Sequence, residues 1–206
     1  MKKFVTLGVA MILSTSVAAS DWQTLFDGKS LAGWRASDAP GTFSVKDGAI
    51  IVKGPRSHLF YVGPVQGADF KDFELKLEVK TFANANSGVY FHTLWQEKGW
   101  PGMGYEVQVN NSHTDTSRTG GLWGVRDYRE VAVPDGKWFT LTIVVQGKHV
   151  VTKIDDKVIV DYTEEENPPR AKGLEQRLLK SGTFALQGHD PGSETHFREI
   201  KVRKLP

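Results

Sequence analysis

The chain contains no cysteine. Disulfides, thiolate metal sites, a cysteine nucleophile and a lipid anchor on cysteine are excluded together, so stability must come from a packed core and backbone ladders. Charge of one sign is missing as well. Lys and Arg number 26 and Asp and Glu 24, and setting aside Lys2 and Lys3 leaves 24 against 24. Such a balance argues against nucleic acid as the main partner, which needs a basic face to displace counterions. There is no Gly-x-Ser-x-Gly elbow, phosphate loop or dinucleotide fingerprint. Helical patterning is scarce: Leu174 to Lys180 suits two helical turns, with Leu174, Leu178 and Leu179 on one side. Past the first twenty residues no apolar run is long enough to span a bilayer.

Those first residues read as an address. Lys2 and Lys3 form a short positive region, Phe4 to Leu13 an apolar run, and Ser14 to Ser20 a stretch of small residues. This is the three-part pattern of a secretory signal peptide, with cleavage after Ala19 or Ser20. The expectation is a signal peptide over 1–20, one mature domain over 21–206, and a periplasmic or secreted protein that does not stay in the membrane.

The mature chain reads as short strands separated by turns. The 39% hydrophobic content of the full sequence supports a sizeable core in one domain. Phe73, Leu75, Leu77 and Val79 alternate with Glu74, Lys76, Glu78 and Lys80, which gives a strand with one dry and one wet face. Asp47-Gly48, Gly147-Lys148 and Asp155-Asp156 lie between β-formers as hairpin turns. Further strands are expected over 87–92, 105–109, 139–145, 150–154, 158–162, 183–187 and 196–202. The fold class is all-β, a two-sheet sandwich or barrel.

Alternation also locates a candidate site. Residues two apart on a strand share a face. Val89 and Phe91, Tyr105 with Val107 and Val109, and Phe184 with Leu186 supply apolar faces. The opposite faces carry Tyr90 and His92, Glu106 and Gln108, and Gln187 and His189. If these strands are neighbours, the six side chains form a polar floor. Amide, imidazole, phenol and carboxylate groups suit a ligand rich in hydroxyls, such as a sugar. Trp95 and Trp100 lie in a Gly- and Pro-rich stretch between two floor strands, and Trp123 lies in Gly120-Gly121-Leu122-Trp123-Gly124. Each either stacks on a sugar ring or packs locally. Trp22, Trp34 and Trp138 read as core or edge residues, and His58 as a loop residue that touches ligand. His113 and Asp115 fall short of the three or four converging groups a metal needs, so no metal ligands are assigned.

Several motifs occur in a specific order. They are Leu25-Phe26-Asp27-Gly28, Val45-Lys46-Asp47-Gly48, Asp69-Phe70-Lys71-Asp72-Phe73-Glu74-Leu75, Asn86-Ser87-Gly88-Val89-Tyr90-Phe91 and Gly104-Tyr105-Glu106-Val107-Gln108-Val109. Thr119-Gly120-Gly121-Leu122-Trp123-Gly124, Phe184-Ala185-Leu186-Gln187-Gly188-His189 and Phe197-Arg198-Glu199-Ile200 complete the series. From Trp22 to the C-terminus the chain resembles the 3-keto-disaccharide hydrolase domain family. The resemblance implies a concanavalin-like jelly-roll sandwich of two curved antiparallel sheets. It also implies a carbohydrate-active enzyme that cleaves glycosides bearing a ketone at carbon 3. Carried over by motif, Glu106, Gln108, Gln187, His189 and Arg198 are the positions of interest.

A 3-ketone acidifies the hydrogen on carbon 2, so a base there permits elimination of the group on carbon 1, followed by hydration. Glu106 and His189 are expected as base and acid, in either order. Arg198, Gln108, Gln187 or a bound divalent metal would stabilise the enolate. The alternative is a non-catalytic, lectin-like carbohydrate-binding module of the cell envelope.

Overall fold

The structure is a computed structural model that describes residues 21–206. The signal-peptide reading of 1–20 lies outside the described residues. Along the chain run β1 (Gln23–Thr24), β2 (Trp34–Ala36), β3 (Phe43–Lys46), β4 (Ala49–Lys53), β5 (Ser57–Tyr61), β6 (Phe73–Thr81) and β7 (Ser87–Thr93). They are followed by β8 (Tyr105–Val109), β9 (Phe139–Gln146), β10 (His149–Ile154), β11 (Lys157–Thr163), β12 (Thr183–Gly188) and β13 (Glu194–Lys204). One sheet has the order β11-β10-β9-β6-β13-β4-β3, with β1 also on β13, and the other the order β2-β5-β12-β7-β8. Pairing is antiparallel in both. This is the jelly-roll sandwich expected from the family.

Turn chemistry sets the hairpins. Asp47 and Gly48 both take positive φ, 51° and 76°, as a two-residue I′-type turn requires. Asp155 and Asp156 do the same at 46° and 67°. Alternation then fills the space between the sheets. Phe73, Leu75, Leu77 and Val79 of β6 join Val89, Phe91, Tyr105, Val107, Phe184 and Leu186 of the facing sheet in one core. Phe73 meets Phe184 edge-on at 4.9 Å between centroids. Each such side chain contributes about 1.5–3 kcal/mol by burial. Trp34 is buried and donates from its indole to the Leu25 carbonyl at 2.8 Å, so it belongs to the core as expected.

Two local expectations fail. Residues 174–180 form turns and extended chain, with no helix. Side chains there take backbone groups that a helix would satisfy internally: Arg170 Nε donates to the Arg177 carbonyl at 2.7 Å, and the Leu179 N–H donates to Glu164 at 2.9 Å. His58, expected in a loop, lies on β5. This strand of five consecutive buried residues runs between β2 and β12. The preceding Gly54-Pro55 and the lack of alternating polarity concealed it, since a strand covered on both faces shows no period of two.

Candidate active site

The five-stranded sheet carries a cavity of about 410 Å³ on the face away from the core. Glu106 of β8 lines it. Its neighbour in register is Tyr90 of β7, and Gln187 comes from β12. Tyr90 donates from its hydroxyl to Glu106 Oε2 at 2.6 Å. Gln187 Nε2 donates to Glu106 Oε1 at 2.7 Å and to the Tyr90 hydroxyl oxygen at 3.0 Å. Both carboxylate oxygens are therefore held, and the side chain is fixed in one orientation.

Gly88 makes this arrangement possible. A Cβ built there would stand 2.5 Å from Glu106 Oε1 and 2.9 Å from its Cγ. The missing side chain provides the space that the carboxylate occupies.

Burial raises the pKa of Glu106 above its ordinary 4.5, while Tyr90, the Arg177 charge and Gln187 pull it back. The Tyr90 hydroxyl is pushed well above its ordinary value, chiefly by burial and then by the Glu106 charge, so it stays protonated as a donor. Arg177 Nη2 lies 3.8 Å from Glu106 Oε2, with both side chains 6% exposed. Its guanidinium is 5.2 Å from the Tyr90 ring and 5.8 Å from the Trp123 ring.

His189 follows β12 and stands on the cavity wall. Its Nδ1 pairs with Asp190 Oδ2 at 2.8 Å, and Asp190 is itself fixed by Ser193 Oγ and the Gly192 N–H, each at 2.8 Å. Burial works to raise the Asp190 pKa, but the bonds from His189 and Ser193 hold it below its ordinary value. A carboxylate on Nδ1 orients the ring and leaves Nε2 for a substrate. Gln108 reaches Asn86 Oδ1 at 2.6 Å, and Trp100 and Trp123 complete the walls.

Alternation thus brings Tyr90, Glu106, Gln108, Gln187 and His189 together, with Trp100 and Trp123 around them. Three expected residues lie elsewhere. His92 does not line the cavity, because β7 carries an extra residue there. The register with β12 shifts from Tyr90↔Ala185 to Thr93↔Thr183, and His92 takes a φ of 55°. The bulge turns the imidazole aside, where it donates to the Lys71 carbonyl at 2.9 Å and accepts the Lys180 N–H at 3.2 Å. Trp95 packs on Phe60, Tyr90 and Ala185, with the Arg35 guanidinium 3.5 Å over its ring, and stays outside the cavity lining. Arg198 belongs to the other sheet: on β13 it pairs with Glu78 at 2.5 Å and lies 4.1 Å over Trp138. Its parity is opposite to that of the core residue Phe197, so it points away from the sandwich interior.

Sequence reasoning missed Arg177, which was placed on an expected helix and given no role. It also gave no site role to Asn86 or Leu174, both on the cavity wall. An arginine on a segment without strand alternation leaves no local signal of which surface it faces. Among the described residues no three His, Asp or Glu side chains cluster to hold a metal ion.

A family model described as the 3-keto-alpha-glucoside-1,2-lyase-like domain matches residues 21–203. A Bacteroides thetaiotaomicron protein named 3-keto-disaccharide hydrolase is 27% identical over 184 residues, covering 73% of this chain. The chain spans 61% of that relative's length. A Parabacteroides distasonis crystal structure, provisionally described as a glycosyl hydrolase, superposes with a TM-score of 0.73 at 20% identity, covering 95% of this chain and 99% of that one. A Bacillus subtilis protein of unknown function with a galectin-like fold gives 0.65 at 9% identity, over 89% of this chain and 94% of that one. The two structural likenesses establish the sandwich. The family match spans nearly all the described residues, including every strand that builds the cavity, and by it the chain belongs to the 3-keto-alpha-glucoside-1,2-lyase-like domain family.

Proposed function

We propose that this chain is an exported enzyme that cleaves 3-keto-glycosides, disaccharides among them, by elimination at carbons 1 and 2 followed by hydration. The observation that carries the reading is Glu106: a buried carboxylate, held on both oxygens, at the floor of a sugar-sized cavity beside a buried arginine. The family description, a 1,2-lyase, agrees with elimination. The export half rests on the residue pattern over 1–20.

Glu106 takes the proton from carbon 2. Its raised pKa makes it a stronger base than an exposed carboxylate. The electron pair left behind moves toward the ketone oxygen at carbon 3, where Arg177 offers a fixed positive charge in a site shielded from water. The sequence offers Arg198, Gln108, Gln187 or a bound metal for this role, and does not single out Arg177. The bond from carbon 1 to the leaving oxygen breaks, and His189 Nε2 supplies that oxygen with a proton. The result is a 1,2-unsaturated 3-ketone and a free alcohol. Water then adds at carbon 1, its proton passing to His189, while Glu106, whose carboxyl proton has exchanged with the water that enters once the alcohol leaves, protonates carbon 2. The sum is hydrolysis, and both residues regain their starting states.

A glycosidase that relies on two carboxylates finds less here. Asp190 is engaged by His189 and Ser193, and Glu194 pairs with Lys53 at 2.8 Å and with His196 at 2.9 Å, outside the cavity lining. The test is incubation with matched 3-keto- and unoxidised disaccharides, following released sugar. Release from the keto forms alone, lost on Glu106→Gln and on His189→Ala, is expected. Wild-type rates from both variants would end the reading, and tight sugar binding without release would favour a binding module.

A further inference from the structure

The catalytic scheme leaves one part of the floor unused. His58 on β5 is directly opposite Gln187 on β12, so the two side chains share the face that bears the cavity. His58 is fully buried, and neither Nδ1 nor Nε2 has a hydrogen-bond partner among the described residues. Gln187 Oε1 is in the same condition, its Nε2 being committed to Glu106 and Tyr90. Trp95 Nε1, packed against Phe60 and Tyr90, is a further unpaired atom. Buried polar groups are nearly always paired, and unpaired atoms gathered in one place call for an explanation.

Trp100 covers His58. Its ring meets His58 edge-on at 5.5 Å between centroids and lies 5.4 Å from the His189 ring, yet the residue is 44% exposed. The loop that carries it is tied by its own polar groups. Gln96 Nε2 donates to the Lys98 and Trp100 carbonyls at 2.6 and 2.9 Å, and Asp38 accepts the Gly99 N–H at 3.0 Å. The indole itself is held only by ring contacts, with His58, His189 and the Arg56 guanidinium at 5.4 Å, and it leaves both His58 nitrogens unpaired.

A phenylalanine in place of His58 would keep the ring packing without the unpaired nitrogens, so packing alone does not explain the residue. Burial lowers the His58 pKa to about 3, which leaves a neutral imidazole with one donor and one acceptor nitrogen. Together with the Gln187 acceptor it matches adjacent hydroxyls of a sugar ring, each of which both donates and accepts. Gln187 spans the distance between this patch and Glu106, so a ring bound here would adjoin the ring at the catalytic carboxylate.

We propose that His58 and Gln187 Oε1 form a second sugar subsite beneath Trp100, which turns outward to admit the ring that does not carry the ketone. The proposal rests on the reading of this cavity as a disaccharide-cleaving site.

The test compares wild type, His58→Phe and Trp100→Phe. The probes are maltose and trehalose, their 3-keto forms, and the one-ring methyl 3-keto-α-glucoside. Binding is followed by calorimetry and tryptophan fluorescence, and turnover separately. His58→Phe should melt no lower than wild type. It should bind the disaccharides about tenfold more weakly, the equivalent of about one hydrogen bond, and keep its affinity for the one-ring probe. The part of the fluorescence change that the disaccharides give and the one-ring probe does not should disappear in Trp100→Phe, while Trp123 on the cavity wall still reports the one-ring probe. Unchanged disaccharide affinity in His58→Phe, or an equal loss on the one-ring probe, would overturn the subsite. His58-dependent disaccharide binding by a wild type that turns over no 3-keto-sugar would sustain the subsite and defeat the catalytic reading. Absence of any sugar binding by wild type would defeat both.

Discussion

Glu106→Gln separates chemistry from folding. The introduced amide oxygen can keep the bond from Gln187 Nε2, now 2.7 Å, while its nitrogen turns to the Tyr90 oxygen, now 2.6 Å from the carboxylate. The Tyr90 oxygen can accept both amides, but its own proton is then left without an acceptor in a residue 1% exposed. A buried unpaired hydroxyl costs about 1–3 kcal/mol. Removing a desolvated negative charge offsets part of this, and Arg177 loses a partner that stands 3.8 Å away. The melting temperature should therefore move by no more than about 10 °C, at roughly 2–4 °C per kcal/mol for a domain of this size. The rate should fall much further, by about 10²- to 10⁴-fold in kcat, the range for loss of a general base. The stability difference should also depend on pH. The folded pKa of Glu106 is raised above 4.5, so its contribution to stability is fully present below that value. It is lost as pH rises through the folded pKa, where burial of the ionised form becomes a penalty. The variant escapes that penalty, and its melting temperature should gain on wild type as pH rises. Calorimetric scans between pH 4 and 8, with steady-state kinetics on a 3-keto-disaccharide, measure both effects. A variant that retains a tenth of wild-type kcat, or a stability gap that widens in the opposite direction with pH, would refute the reasoning.

Gly88→Ala should cut kcat about a hundredfold or more, because the new Cβ displaces the general base, with a circular dichroism spectrum like that of wild type. Activity unaffected by the added methyl would show that Glu106 does not act from this position. Asp190→Asn should lower kcat roughly tenfold or more with KM little changed, since the orienting acceptor on His189 Nδ1 is lost; an unaltered kcat would remove His189 from the chemistry. Glu164→Ala should destabilise by about 3 kcal/mol, seen as a lower denaturant midpoint, because it leaves Arg170 and Lys148 without their buried partner. The estimate is taken at the low end because the Lys148 side chain is 54% exposed. It should also reduce activity, since Glu164 anchors the Leu179 N–H two residues beyond Arg177.

Much of the site was legible because a strand has a period of two. Tyr90, Glu106, Gln108 and Gln187 follow from parity alone, once β7, β8 and β12 are neighbours. Parity fails at His92, where a bulge inserts a residue, and no feature of Ser87 to Thr93 announces that insertion. It fails again at β5, where both faces are covered and His58 looks like a loop residue after Gly54-Pro55. Arg177 was illegible for a different reason. It reaches the cavity on a segment without regular structure, held by side chains of Arg170 and Glu164 on its backbone and not by a repeating ladder that leaves a period in the sequence. Arg198 shows the reverse error: a motif placed it in the site, although its own parity on β13 turns it outward.

The central claim is that Glu106 removes the proton on carbon 2 and, after its carboxyl exchanges with water, delivers a solvent proton there. Cleavage of a 3-keto-disaccharide in deuterated water, stopped early and corrected for the non-enzymatic exchange of the same ketone, tests it directly. Elimination and hydration place one deuterium on carbon 2 of the released keto-sugar, and Glu106→Gln abolishes the labelled product. A released keto-sugar that keeps its original hydrogen at carbon 2 would contradict the mechanism.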